Sequence, residues 1–318
     1  MSAPRVSVVL PVRNGASTID QTLGDLLAAL DNVDEVVVID DGSSDRTPNL
    51  VRRWSERDER VRLVKSPASG LVAALNLGIR ESQFEWVARA DADDRYPNDR
   101  LALQRGVFSP HVALVTGDYR LVSTLGAPTL LPCALGHPFV ALSLINPQRI
   151  PHPGVVFSRE AVISAGGYRN EDFPAEDLGL WLRLSAEGDF VGVPGVVVDW
   201  AMASGSVSHS RQVEQRSATH KLLAAWRPAL LNQVDDEAVH QELARYESSS
   251  HARARSLLLL RDLRSWRRRG ERLPGEDQIL TSSARHPVST LRAGWRLSRE
   301  ARQRRHARSE IVTPLDED

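Results

Sequence analysis

The stretch ARADADDRYPNDRL, from Ala88 to Leu101, places Asp91, Asp93, Asp94 and Asp99 within nine residues, directly after an apolar run. A solvated turn needs one or two acids; a cation site needs several aimed at one point. Carboxylates one residue apart at a strand end can share a hard divalent cation. Mg²⁺ takes oxygen ligands and is usually held by one or two carboxylates, with substrate phosphates supplying more. Asp91 and Asp93 therefore point to a metal bound together with a diphosphate. The competing reading is a turn in which Asp94 and Asp99 cap the helix near Leu101. Two further acidic pairs stand out. Asp40 and Asp41 could accept hydrogen bonds from a base or ribose, or they could only shape the turn into the next helix. Glu176 and Asp177 open an apolar helix. Acids are favourable there in any case, but a carboxylate so placed could also take a proton from an attacking hydroxyl. His152 could orient an acceptor, touch phosphate, or simply pack.

These residues need elements to hold them. Val6–Pro11 and Glu35–Asp40 read as buried strands, Val61–Val64 as a short strand and Glu85–Ala90 as a fourth. Between them, Ile19, Leu23, Leu26, Leu27 and Leu30 recur at helical spacing, with Ser17 or Thr18 as cap. Leu50, Val51 and Trp54 mark a second helix, and Gly70–Arg80 a third. Regular strand–helix alternation predicts an α/β fold with a mostly parallel sheet covered on both faces. Ligands in such sheets bind outside the carboxyl ends of the strands. PVRNG, DDGSSD and DADD all fall there, so three strands deliver polar groups to one edge. Beyond Val112 the pattern is mixed. Strands are expected at Val112–Thr116, Gly154–Ser158 and Val196–Val198, and helices at Arg159–Ala165 and Glu176–Glu187. From about Gln212 the chain reads as helical and polar.

Composition narrows the classes. The 318 residues are 42% hydrophobic and 25% charged, with a formal net charge of −1. That is globular, and it gives no global field to recruit nucleic acid. A single cysteine, Cys133, excludes a disulfide framework or a multi-cysteine zinc site. Neither a signal peptide nor an apolar run of about 20 residues is present, so a cytoplasmic location is expected. No G-x-G-x-x-G follows the first strand and there is no G-x-x-x-x-G-K, so dinucleotide and P-loop chemistry are not indicated. Phosphates would have to be neutralised by a metal.

VSVVLPVRNG, EVVVIDDGSSDRT, GLVAALNLGIRES, WVARADADDRYPNDRL, HPGVVFSREAVISAGGYRN and AEDLGLWLRLSAEGDF occur in that order. Six such blocks, from Val6 to about Ser210, resemble the family-two glycosyltransferases, inverting enzymes of the GT-A nucleotide-sugar fold. The resemblance implies a GT-A domain over residues 1–210 and a mainly helical, arginine-rich C-terminal region over 211–318, ending in a disordered tail. It implies transfer from a nucleotide-diphosphate sugar, expected to be a UDP-sugar, to a sugar, lipid-linked or other hydroxyl acceptor in cell-surface polysaccharide or glycolipid synthesis. Mg²⁺ or Mn²⁺ would be the cofactor. By the same resemblance, Pro11, Arg13, Asn14, Asp40, Asp41, Gly70, Asn76, Arg89 and Asp91 are expected to bind nucleotide. Asp93 and Asp91 would hold the metal. Asp177 would be the general base, with Glu176, His152 and Trp181 on the acceptor side.

One departure matters. Members with this acidic motif often carry Tyr-Arg-x-His before a GSVS stretch; here those positions are Trp200, Ala201, Met202 and Ala203, and His209 follows six residues later. Two alternatives therefore stand beside the enzyme: a catalytically impaired nucleotide-sugar-binding scaffold, and a sugar-phosphate nucleotidylyltransferase. The latter would want a glycine-rich basic loop where PVRNGAST stands. Between His251 and Arg308 there are sixteen arginines and five acids. A helix there could lie on an anionic membrane at the inner face, form an oligomer interface, or cover the catalytic domain. Nucleic acid is not expected, because aromatics are not clustered with the arginines.

Overall fold

The computed structural model describes residues 3–31, 34–122, 127–131, 133, 150–201 and 211–232. All lie in the first of two compact units, Met1–Val239. The tail and the arginine-rich stretch fall in the second unit and lie outside the described residues; Met202, Ala203 and His209, in the first unit, also lie outside them.

The first half alternates as the sequence predicts. It runs β1 (Val6–Val12), α1 (Ile19–Ala29), β2 (Glu35–Asp40), α2 (Thr47–Ser55), β3 (Val61–Lys65), α3 (Leu71–Glu81) and β4 (Trp86–Arg89). There follow α4 (Arg100–Arg105), β5 (Val112–Val122), β6 (Thr129–Leu131), a single 3₁₀ turn at His152–Gly154 and β7 (Val156–Ser158). The described part closes with α5 (Arg159–Ser164), α6 (Glu176–Leu184), β8 (Asp189–Ala201) and α7 (Gln212–Asn232). One sheet runs in the order β3-β2-β1-β4-β7-β5-β6, with β8 beside β5. β3, β2, β1 and β4 are mutually parallel; β7 is antiparallel to both β4 and β5. The sheet is thus α/β and mostly parallel, with an antiparallel patch where β7 is inserted.

Two expectations are adjusted. The strand expected at Val196–Val198 lies inside a 13-residue β8, Asp189–Ala201, which stays paired to β5 through register shifts near Gly117 and Asp118. The irregular register accommodates Gly-Val-Pro-Gly at 192–195 within the strand. The cap of α1 is Thr18, but its side chain makes no capping bond; the N–H groups of Thr18 and Ile19 both reach the carbonyl of Gly15.

β1 is central, and all seven of its residues are buried. Alternation splits its neighbours between two faces. Val36 and Val38 join the main core with Val8, Leu10 and the α1 residues Leu23 and Leu26. Val37 and Ile39 pack against Ala74 of α3. Covering both faces is what a parallel sheet requires, and it leaves only the strand ends open for chemistry.

α3 approaches the sheet closely because it presents Gly78. A Cβ there would lie 2.3 Å from Val9 Cγ1 and 3.3 Å from Ile39 Cγ1. Both neighbours are branched and buried, so neither can move aside cheaply. By contrast, a Cβ at Gly24 of α1 meets nothing within 4 Å. Gly78→Ala is therefore expected to destabilise the chain by about 1–3 kcal/mol through overpacking. Gly24→Ala should stabilise it by roughly 0.5–1 kcal/mol. Urea unfolding of the two variants checks the opposite signs.

Candidate active site

The acidic turn begins where β4 ends, beside the ends of β1 and β2. Its anchor is Arg89, the last residue of β4, whose side chain is buried at 2% exposure. Arg89 forms an ion pair with Asp91. Burial opposes its charge, but the Asp91 carboxylate and the nearby phenols of Tyr96 and Tyr168 outweigh that and raise its pKa above the ordinary arginine value. The guanidinium stays charged. Tyr96 closes the turn, its hydroxyl accepting from the Asp91 N–H at 2.6 Å.

Asp91, Asp93 and Asp94 each offer a carboxylate oxygen, and these atoms lie within 4.8 Å of one another. Partial desolvation and the neighbouring Asp91 raise the pKa of Asp93. Asp94 is 1% exposed, and burial, then Asp91, pushes its pKa up to about 9. Its Oδ1 accepts from the Ala201 N–H at 2.7 Å, while its Oδ2 has no partner among the described residues. Asp94 is thus not a helix cap. The cap position of α4 belongs to Asp99, whose side chain makes no capping bond. The donor set is hard, acidic and incompletely satisfied, so it fits a divalent cation.

Residues expected at the nucleotide are gathered at the same edge, several in structural roles. Pro11 lies inside β1, buried and opposite Ile39 rather than in the loop. Asn14, at φ 55°, locks two loops together: its Oδ1 accepts from the Ser44 N–H at 2.8 Å, and its N–H donates to Ser43 Oγ. Asp40 Oδ1 accepts from the Ser43 N–H, shaping the turn. Asp41 bridges to the next loop, accepting from Ser66 Oγ at 2.8 Å and from the Gly70 N–H at 3.0 Å. Gly70 caps α3 at φ 90° with open space where a side chain would stand. Arg13 is exposed beside them. Asn76 has a structural role: its Nδ2 donates to the Tyr168 carbonyl and its Oδ1 accepts from the Tyr168 N–H. Its carboxamide thereby ties α3 to a loop 92 residues away.

The second carboxylate pair comes from α6. Glu176 is buried, and burial together with Asp177 pushes its pKa up to about 7; its Oε2 has no partner among the described residues. Asp177 is half-buried, with Oδ1 accepting from the Leu178 N–H at 2.7 Å. Desolvation raises its pKa, opposed by that bond and by Arg89. Arg89 and Asp91 thus act on both Glu176 and Asp177, which joins the β4 turn to the start of α6.

His152 and Trp181 stand behind this pair. The His152 ring bonds Tyr168 through Nε2 at 2.7 Å and meets the Trp181 ring edge-on at 5.7 Å. Burial and Arg89 hold its pKa well below the usual range, so it is neutral. Trp181 is 1% exposed and packs on Phe157 as well. It supports His152 from the interior and has no open face for an acceptor.

Four residues complete the site without having been expected from sequence. Tyr168 joins His152 to Asn76. Arg183 donates to Asp172 at 2.7 Å, to the Gly167 carbonyl and to the Ala165 carbonyl, fixing the loop before Tyr168 onto α6. Arg100, fully buried, reaches the carbonyls of Arg89 and Pro153 and covers the Tyr96 ring at 4.8 Å. Gln104 donates to the Gly154 carbonyl. Arg100 and Gln104 sit one helical turn apart, which is visible in sequence as a polar i, i+4 pair in a short apolar helix.

Comparison with known proteins agrees with this geometry. Residues 7–123 match the model of Glycosyl transferase family 2. Two Haemophilus influenzae proteins, each described as an uncharacterized glycosyltransferase, are similar to the chain. One is 31% identical over 122 residues, covering 37% of this chain and 48% of the relative. The other is 29% identical over 225 residues, covering 68% and 82%. Poly-beta-1,6-N-acetyl-D-glucosamine synthase of Staphylococcus aureus is 24% identical over 208 residues, 62% of this chain and 50% of that protein. The chain therefore spans about half the length of two of these relatives. Two solved structures share the fold. S. aureus TarS 1–349 in complex with UDP-GlcNAc has a TM-score of 0.57 at 15% identity, covering 91% of this chain and 88% of that one. The mannosyltransferase PcManGT from Pyrobaculum calidifontis, in complex with GDP-Man and Mn²⁺, has a TM-score of 0.54 at 21% identity, covering 91% and 83%. Residues 7–123 are a glycosyl transferase family 2 domain, and the described residues share the α/β fold of these two glycosyltransferase structures.

Proposed function

We propose that this protein is an inverting glycosyltransferase that moves a sugar from a nucleoside diphosphate sugar to a hydroxyl acceptor. One observation carries the reading: the carboxylates of Asp91, Asp93 and Asp94 and those of Glu176 and Asp177 share a single buried cation, Arg89, at the carboxyl ends of the strands. One set is suited to a metal–diphosphate and the other to a proton.

Asp93 and Asp91, with Asp94 alongside, would hold Mg²⁺ or Mn²⁺. When bound, the ion supplies positive charge against the diphosphate leaving group. Asp177 accepts the acceptor's hydroxyl proton as that oxygen attacks the anomeric carbon. The bond to the diphosphate breaks on the opposite face, so the configuration inverts with no covalent enzyme intermediate. Glu176 holds its own proton close to neutrality and keeps a second negative charge away from Asp177. Arg13, exposed beside the loops locked by Asn14, Asp40 and Asp41, would meet the nucleotide. The UDP-GlcNAc and GDP-Man complexes of the structural neighbours and the poly-N-acetylglucosamine synthase support a nucleotide-sugar donor, with UDP-sugars tried first. The acceptor class is a polysaccharide, a glycolipid or another lipid-linked sugar. Among the described residues no helix is long and apolar enough to cross a membrane.

Two outcomes follow. Asp177→Asn should lower transfer from the active donor by about 10²–10⁴-fold while leaving nucleotide affinity within a few-fold. This is measured by product formation from UDP-GlcNAc and GDP-Man with and without Mn²⁺; full activity in this variant would remove Asp177 as base. Glu176 gives a stability signature. A carboxyl whose native pKa lies above its unfolded value binds its proton more tightly when folded. Its contribution is complete below about pH 4.5 and is lost as pH rises through about 7. Glu176→Gln should remove that decline, making the variant more stable than the parent above pH 7 by roughly 1–3 kcal/mol. Denaturant unfolding across pH 4–8 reads the difference, and parallel curves would show that Glu176 ionises normally.

A further inference from the structure

Tyr168 belongs to none of the elements that carry the acids, yet it is held more tightly than most of them. It follows Gly166 and Gly167, both at positive φ. Its backbone N–H and carbonyl are both taken by Asn76, at 3.0 and 2.8 Å. The carbonyl just before it, of Gly167, accepts from Arg183 at 2.7 Å, and Arg183 is itself braced by Asp172 at the same distance. Two helices therefore fix the backbone of one tyrosine. The outcome is a single side-chain contact: its hydroxyl lies 2.7 Å from His152 Nε2.

That contact decides a proton position. Tyr168 is 3% exposed, and His152 Nε2 is the one partner of its hydroxyl among the described residues. A buried O–H is almost always spent on an acceptor, and here the acceptor is the imidazole nitrogen. A neutral imidazole accepts at one nitrogen and donates at the other. Burial raises the Tyr168 phenol and, with Arg89, lowers His152, so both stay neutral and the phenol keeps its proton to give. The Trp181 ring packs edge-on against the imidazole, and the 3₁₀ turn at His152–Gly154 carries the residue.

We propose that Tyr168 is a positioning residue acting through His152: by donating to Nε2 it fixes the imidazole as its Nδ1–H form and reserves Nδ1 as a neutral donor for a hydroxyl or phosphate oxygen in the site. The tautomer assignment stands on the geometry alone; its effect on turnover rests on the proposed glycosyl transfer.

The experiment is long-range ¹H–¹⁵N correlation on the full chain with ¹⁵N-labelled histidine, His152 being assigned by its loss in His152→Ala. The expected result is a protonated, pyrrole-type Nδ1 and an unprotonated, hydrogen-bonded Nε2 in the parent protein. A protonated Nε2 overturns the proposal, and this measurement needs no Tyr168 variant to fold. In Tyr168→Phe, which keeps the ring and removes the hydroxyl, the two nitrogen signals should move toward a mixture of tautomers; unchanged signals overturn it as well. Kinetically, Tyr168→Phe should lower kcat about tenfold, the equivalent of one hydrogen bond of ordinary strength, with KM within about twofold. It should cost nothing more when His152 is already alanine; an equal loss in both backgrounds would show that Tyr168 does not act through His152. A protein with the expected tautomer and no transfer from any donor would refute the proposed function and leave the role of Tyr168 supported.

Discussion

A guanidinium with almost no exposure, at the end of an interior strand, is the constraint on which the site depends. Removing a charge from water costs several kcal/mol unless partners replace the lost solvation. Arg89 finds them in Asp91 and in the negative environment of Asp94, Glu176 and Asp177. The dependence runs both ways. Five acids crowd one corner of the fold, and the buried Arg89, with Arg100 near Asp94, tempers but does not cancel their charge. The raised pKa values of Asp93, Asp94, Glu176 and Asp177 express desolvation by burial first and the neighbouring negative charges second. A site in this condition favours anything that brings further positive charge, which is the physical basis for a divalent cation here.

The rest of the architecture keeps that corner from relaxing. Arg100 and Gln104 of α4 satisfy carbonyls on either side of it, at Arg89, Pro153 and Gly154. Asn76 of α3 and Arg183 of α6 hold the Gly167–Tyr168 segment from opposite directions. Asn14 and Asp41 tie three loops to one another. Most of these groups are polar and buried. Asp94 Oδ2, Glu176 Oε2 and Arg89 Nε have no hydrogen-bond partner among the described residues, and neither do Arg100 Nε, Gln104 Oε1, Arg105 Nε, Thr116 Oγ1 and Trp181 Nε1. Of these atoms, the two carboxylate oxygens are the ones able to take either a cation or a proton.

How much of this was legible in the sequence depended on range. The alternating half was readable because its cues are local: apolar runs for β1, β2 and β4, helical spacing for α1 and α3, and acids where strands stop. Asp91, Asp93, Glu176 and Asp177 were found from their type and their place at element ends. The roles of Asn76 and Trp181 were not, because they are set by partners far along the chain: the backbone of Tyr168 for Asn76, and the rings of His152 and Phe157 for Trp181. Tyr168 and Arg183 gave no local signal at all. A tyrosine after two glycines and an arginine on an apolar helix are common, and only the tertiary arrangement makes them members of the site. Asp94 looked like a cap because acids before helices often are; the 107-residue reach to Ala201 could not be seen from spacing.

That reach has a consequence for how the chain can vary. The acidic turn is stitched to the end of β8 by main-chain contacts: Arg95 and Asp199 exchange two backbone hydrogen bonds, and Asp94 takes the N–H of Ala201. Because the link uses the peptide group of Ala201 and not its side chain, position 201 is chemically permissive to nearly any residue but closed to proline, which has no N–H to give. The last residue of β8 can therefore vary in side chain while its backbone stays tethered to the acidic turn. Substitution at this position leaves the placement of the acids undisturbed.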